Sequence, residues 1–161
     1  MRIQGSKDVK LVECINPVRN KWRVRWDVKE DESGASWPEH DFDHKPSIEE
    51  VKAVILGWYN AEIDRKILSG FKWNDLPVWL SSENQFNFKV AHDLTLQLQG
   101  SNLPMTMKLG EFSDGSPAYF DFISIEVFAG FYMSSIGYIQ QTLAVGWAIK
   151  DSINWEDYEI E

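Results

Sequence analysis

The amino-acid sequence predicts an α+β fold of three ββα units, in which antiparallel hairpins pack on helices. Two kinds of pattern support this prediction. Segments that alternate apolar and polar residues, as half-buried strands do, come in pairs separated by turn-forming residues. Each pair precedes a segment with apolar residues at helical spacing, which begins at a serine suited to cap a helix.

The first unit begins with a hairpin over residues 9–28. Its second strand, Trp22-Arg23-Val24-Arg25-Trp26-Asp27-Val28, alternates strictly, so we expect the tryptophans and valines to face a core and the arginines to face solvent. Residues 29–46 are acidic and carry no regular pattern, and we expect an irregular loop there. A helix is predicted from the capping box Ser47-Ile48-Glu49-Glu50 to Gly70.

The second unit has a short hairpin within residues 71–80 and a helix whose capping box is Ser82 with Gln85. That helix is predicted to end at Gly100. It is recognised by apolar residues at intervals of four, namely Phe86, Val90, Leu94 and Leu98.

The third unit has strands on either side of the turn-forming residues 113–117. Ser124 is predicted to cap the last helix, which runs to about Ile149. Residues 151–161 are acidic and are expected to fray.

The units are assigned to two regions, an N-terminal ββα region over residues 1–69 and a ββα-ββα module over residues 70–161. The last helix is apolar on more than one side, as helices in the centre of a fold are. A single core shared by both regions is therefore the alternative.

Composition excludes several classes of partner. The formal net charge is -9 and the 16 basic residues are scattered, so neither nucleic acid nor an anionic membrane is an expected partner. Cys14 is the only cysteine, so no internal disulfide is expected. We expect no signal peptide, because the N-terminus lacks an apolar segment.

Catalytic and cofactor motifs are absent from the sequence, which has no glycine-rich phosphate loop, GxSxG, HExxH or paired CxxC. We therefore predict a protein that is not an enzyme and uses no cofactor. His40 and His44 lie among carboxylates, a combination that can bind a divalent metal. Because Pro38 and Pro46 bracket this segment, a solvated acidic loop without metal is favoured.

Trp37, Trp73 and Trp79 are the candidate ligand-binding residues, since they lie in or beside predicted loops and hairpin ends. Exposed tryptophan rings there would stack on a sugar or anchor a protein interface. The alternative is that these rings close the ends of the core.

The diagnostic segment Trp73-Asn74-Asp75-Leu76-Pro77-Val78-Trp79-Leu80-Ser81-Ser82-Glu83-Asn84-Gln85-Phe86-Asn87 leads into a capped helix, a hairpin and a final helix with Gly146-Trp147 near its end. This arrangement resembles a domain of unknown function found in phage and prophage proteins, often linked to tail fibres and present in prophages of gut Bacteroidetes. The resemblance implies a protein of the virion or of its assembly, and it carries over no catalytic residue.

Three readings of function follow, in order of preference. The first is a non-enzymatic structural or assembly-associated phage protein that binds virion or assembly proteins, in the bacterial host cytoplasm or the virion. The second is a carbohydrate-binding module of a tail or receptor-binding apparatus. The third is an enzyme whose active site carries no recognisable motif.

Overall fold

The computed structural model describes residues 2–160 and confirms the predicted α+β fold. The helices of this range are α1 (Ile48–Ser69), α2 (Ser82–Gln97) and α3 (Ile125–Asp151), with a short 3-10 helix at Trp155–Tyr158. The strands of this range are β1 (Ile3–Gly5), β2 (Val12–Asn16), β3 (Lys21–Arg25), β4 (Lys29–Asp31), β5 (Gly34–Trp37), β6 (Glu39–Phe42), β7 (Phe71–Trp73), β8 (Leu76–Val78), β9 (Met105–Glu111) and β10 (Pro117–Phe122).

The chain forms two compact units. Unit 1 comprises residues 1–59 and 150–161, and unit 2 comprises residues 60–149. The division therefore falls within α1 and within α3, whereas the sequence placed a boundary between residues 69 and 70. The assignment of residues 1–69 and 70–161 to separate domains stays a prediction.

The hairpin predicted over residues 9–28 is confirmed in unit 1, where β2 pairs antiparallel with β3. The irregular loop predicted over residues 29–46 is wrong, because that segment contains β4, β5 and β6. The Asp31 carboxylate closes the β4–β5 turn, since its Oδ1 accepts hydrogen bonds from the backbone N–H groups of Ser33 and Gly34. Strand β6 pairs with β3, and β5 lies between β1 and β4.

The core of unit 1 includes a part of the chain that was expected to fray. Tyr158 is 6% exposed and joins Val24, Trp26 and Ile55 in the buried cluster. Its burial raises the pKa of the Tyr158 hydroxyl to about 12. The prediction for residues 151–161 is therefore wrong over the 3-10 helix, because two aromatic rings outweigh the acidic composition of the segment.

The capping box predicted for α1 is confirmed. The Ser47 backbone N–H donates to Oε2 of Glu50 over 2.8 Å, and the Glu50 backbone N–H donates to Oγ of Ser47 over 3.3 Å. Two N–H groups at the start of the helix are thereby satisfied.

Unit 2 contains the two other predicted hairpins, β7–β8 and β9–β10, and α2 and α3 each follow one of them. The backbone N–H of Trp79 donates to the Leu109 carbonyl over 2.8 Å, so β9 runs beside the end of β8. Gly110 permits this approach, because a Cβ at that position would lie 2.6 Å from the Pro77 carbonyl oxygen. Ser124 caps α3 as predicted, with its Oγ accepting from the Val127 N–H.

Buried charge occupies one face of β3. Arg25, predicted to face solvent, is 8% exposed, which corrects that expectation. Its guanidinium contacts Oε2 of Glu13 at 3.0 Å and Oε2 of Glu39 at 3.3 Å, and it also lies over the Trp37 ring. Neighbouring strands thus supply carboxylates that compensate the buried charge.

Arg23 and Asp41 form a two-bond pair across β3 and β6. The Arg23 Nε donates to Oδ1 of Asp41 over 2.6 Å and its Nη2 donates to Oδ2 over 2.9 Å. These hydrogen bonds hold the pKa of the Asp41 carboxyl below its ordinary value.

Replacing Asp41 with Asn should lower the free energy of unfolding by about 0.5–1 kcal/mol near neutral pH, as expected for a partly exposed ion pair. The carboxylate is stabilising above the unfolded-state pKa of 3.8, and this contribution is lost as the pH falls through the lower folded-state pKa. The difference between the wild type and Asp41→Asn should therefore be constant above about pH 5 and vanish in strong acid, as measured by urea denaturation.

Asp43→Asn is the matched control. The Asp43 side chain is 85% exposed and pairs with the flexible Lys21, so its replacement should change the stability little at any pH. An equal loss in the two variants would contradict the role given to the Arg23–Asp41 pair.

Candidate protein-binding surface

Helix α2 begins one residue earlier than the sequence suggested. The capping residue is Ser81, whose Oγ accepts from the Asn84 N–H over 3.3 Å, and the predicted box of Ser82 with Gln85 is wrong. The Gln85 side chain instead donates to the Leu80 carbonyl over 2.6 Å. Ser81 has the extended backbone that a capping residue needs.

The rotation of α2 puts its most regular apolar residues in solvent. Phe88 and Thr95 face the core of unit 2 and are 2% and 1% exposed. The residues by which the sequence identified the helix lie on other sides of it, and each is at least 44% exposed. We call these four residues the α2 stripe: Phe86, Val90, Leu94 and Leu98.

A cleft of about 230 Å³ lies between α2 and α3 beside the first residue of the stripe. Phe86, at 65% exposure, stands at its edge. Phe88 and Tyr132 line the cleft with rings, and Ile136 and Ile139 line it with alkyl groups. The cleft residues on α3 were not singled out in the sequence, although the wide apolar coverage of that helix was a signal for them.

Polar groups around the cleft are bonded within unit 2. The Ser135 Oγ donates to the Tyr132 carbonyl over 2.7 Å, and the Lys89 Nζ pairs with Oδ2 of Asp93 at 2.5 Å. The ion pair lowers the pKa of the Asp93 carboxyl and keeps the rim electrically neutral. The cleft therefore offers a ligand mainly apolar contact, which suits a single aliphatic or aromatic side chain of another protein.

His92 packs as an aromatic ring close to the cleft. Its imidazole stacks on Tyr132 with 4.7 Å between centroids, and its side chain is 12% exposed. The Nδ1 atom lies 3.7 Å from Oδ1 of Asp93, beyond ordinary hydrogen-bond range. The adjacent His92 and Asp93 therefore do not form a hydrogen-bonded acid–base pair.

The three predicted ligand-binding tryptophans have different surroundings. Trp37, in unit 1, is buried and donates its Nε1–H to Oε2 of Glu39 over 3.0 Å. Trp73, in unit 2, is half-buried and packs edge-on against Phe131. Trp79, also in unit 2, is 42% exposed, and its carbonyl accepts from the Asn84 side chain. The core-closing alternative describes the first two rings, while ligand binding by Trp79 stays a prediction.

The histidines of the acidic segment are engaged separately. The His44 Nε2 lies 2.9 Å from Oε1 of Glu50, and the His40 ring packs edge-on against Phe42. Between residues 2 and 160, no group of three or more His, Cys, Asp or Glu side chains is placed to hold a metal ion. No helix in the same range is long and apolar enough to cross a membrane.

Comparison with known proteins gives no match to this chain among protein-family models, curated proteins or solved structures. The candidate site therefore stands on the geometry of α2 and α3.

The orientation of α2 is tested by stability. Phe88→Ala should lower the free energy of unfolding by about 3–5 kcal/mol, because it empties a fully buried aromatic site. The double variant Phe86→Gln, Leu94→Gln should change it by less than about 1 kcal/mol, because both side chains already face solvent. Urea denaturation measures both values. A large loss in the double variant would show that the stripe is part of the core.

Proposed function

We propose that this chain is a non-enzymatic phage or prophage protein that acts in virion structure or assembly by binding another protein through the α2 stripe and the adjoining cleft. The observation that carries the proposal is the solvent exposure of the stripe, from 65% at Phe86 to 44% at Leu98. Apolar surface grouped in this way marks interaction sites in soluble proteins.

The arrangement suits a protein partner that supplies and receives apolar side chains. Phe86 projects beside the cleft, so an exposed ring and an apolar cavity belong to one surface. Large aromatic side chains and well-packed pockets contribute most of the energy of protein interfaces. The Lys89–Asp93 pair at the rim leaves no uncompensated charge that a partner must match.

The phage setting rests on the resemblance carried by residues 73–87, which include the start of α2. It places the protein in the bacterial host cytoplasm or the virion, with virion or assembly proteins as partners. No nucleic acid, membrane or cofactor takes part in the proposed activity.

The test is an affinity pull-down from the parent bacterium after prophage induction, read by mass spectrometry. Three baits are compared: the wild type, the double variant Phe86→Gln, Leu94→Gln, and Val18→Gln. Val18 is 96% exposed in the β2–β3 turn, so it controls for the loss of an exposed apolar side chain away from α2.

Tail or baseplate proteins should be recovered with the wild type and with Val18→Gln, and lost with the double variant. Recovery of the same proteins with all three baits would reject the α2 surface. Recovery of nothing above background would reject the proposed function.

Carbohydrate binding is the second candidate, because Trp79 presents a large ring that is 42% exposed. This candidate predicts that the wild type binds at least one glycan on an array, and that Trp79→Ala weakens that binding by about tenfold, or about 1.4 kcal/mol. Tyr119→Ala removes another exposed ring, at 57% exposure, and should leave the binding unchanged. An array without signal, or an equal loss in both variants, would reject it.

A further inference from the structure

Helix α3 contains a long uncharged segment. Residues 127–149 include no Asp, Glu, Lys or Arg, in a chain where these make up 25% of the residues. Burial explains only one side of the helix, where Phe128 and Phe131 are fully buried. The solvent side of a helix ordinarily carries charges, as α1 does at its exposed Glu49, Asp64 and Arg65.

The exposed positions of this segment recur at intervals of three and four and lie on one side of α3. Over 16 residues this side is about 24 Å long. Met133 is its most exposed large residue, at 63%. We call the following residues the uncharged face: Met133, Gly137, Gln140, Gln141, Ala144 and Ala148.

Gly137 lies near the middle of the uncharged face, and the fold gives no reason for a glycine there. A Cβ at this position would meet nothing within 4 Å. A glycine within a helix costs about 1 kcal/mol relative to alanine. Gly57 on α1 has equally open surroundings, so the glycine alone does not mark an interface. The combination of glycine, exposed methionine and absent charge distinguishes the α3 position.

The pattern of the uncharged face is complementary to itself in the antiparallel direction. If a two-fold axis passes between Gln140 and Gln141, Met133 of one copy faces Ala148 of the other. Gly137 then faces Ala144, which allows the helices to approach closely. A two-fold interface requires this property, because the same surface serves both copies.

The charge of the chain favours the same partner. Two copies that each carry a net charge of -9 repel one another, and a surface without carboxylates is where they meet at the lowest electrostatic cost. The amide groups of Gln140 and Gln141 can donate to and accept from the same groups of the second copy.

We propose that two copies of this chain associate through the uncharged faces of α3, antiparallel about an axis between Gln140 and Gln141. This proposal does not rest on the α2 stripe or on the proposed function. One helix face on each copy would bury roughly 800 Å² in total, at the low end for protein interfaces, so the dissociation constant should be in the micromolar range.

Sedimentation velocity of the full chain from about 1 to 300 µM, a range chosen for a small interface, tests the association. The wild type should change from monomer to dimer within it. Gly137→Glu should weaken the dimer at least about a hundredfold, because it buries an unpaired charge between two acidic chains. Gly57→Glu adds the same charge on α1 at an equally open glycine and should leave the constant unchanged.

The antiparallel direction is tested by cross-linking in a Cys14→Ser background, which removes the only native thiol. Mild oxidation of a mixture of Gly137→Cys and Ala144→Cys chains should join the two different chains in preference to identical ones. A wild type that stays monomeric, equal losses in Gly137→Glu and Gly57→Glu, or a preference for disulfides between identical chains would each overturn the proposal. The double variant of the α2 stripe should dimerise normally, which separates this result from the pull-down.

Discussion

The packing of Phe131 is the constraint on which unit 2 depends. Its ring is fully buried, and it comes from the helix that follows the last hairpin. Five aromatic rings surround it with centroids between 5.1 and 6.4 Å away, and they come from every hairpin and helix of the unit except α1: Phe71, Trp73, Phe88, Phe122 and Phe128. Rings in tilted and edge-to-face contact stabilise both by burial and by their geometry. A change at this position would therefore be felt in both hairpins and in α2 together.

The same contact decides which side of α2 is buried. The helix has two sets of residues at helical spacing, one containing Phe88 and Thr95 and the other forming the α2 stripe. Phe88 packs edge-to-face on Phe131 with 5.1 Å between centroids, and this contact turns the stripe into solvent. The exposure of the stripe is therefore a consequence of tertiary packing, and the more regular pattern in the sequence belongs to the side that the core does not use.

Predictions from sequence succeeded where the determining interactions are local. The hairpins at residues 9–28 and 71–80 and the cap at Ser47 depend on residues a few positions apart, and all were predicted. The segment 29–46 and the segment near Tyr158 depend on distant partners, and both were wrong. Their acidic composition suggested solvent, but Glu39 and Asp41 pair with arginines of β3, and Tyr158 enters the core of unit 1. The cleft beside α2 was likewise beyond prediction, since it needs the relative placement of two helices.

The two proposed binding surfaces use different physical means to overcome the net charge of -9. At the cleft, charge is present but paired, because Lys89 neutralises Asp93 and leaves the apolar rings accessible. On the uncharged face of α3, charge is absent, and close approach at Gly137 replaces large side chains as the source of contact. Apolar anchors of the first kind select a partner by the shape of its side chains. A nearly flat face of the second kind selects by its own repeat pattern, and a chain that presents it twice about a two-fold axis is the partner that matches it at every position.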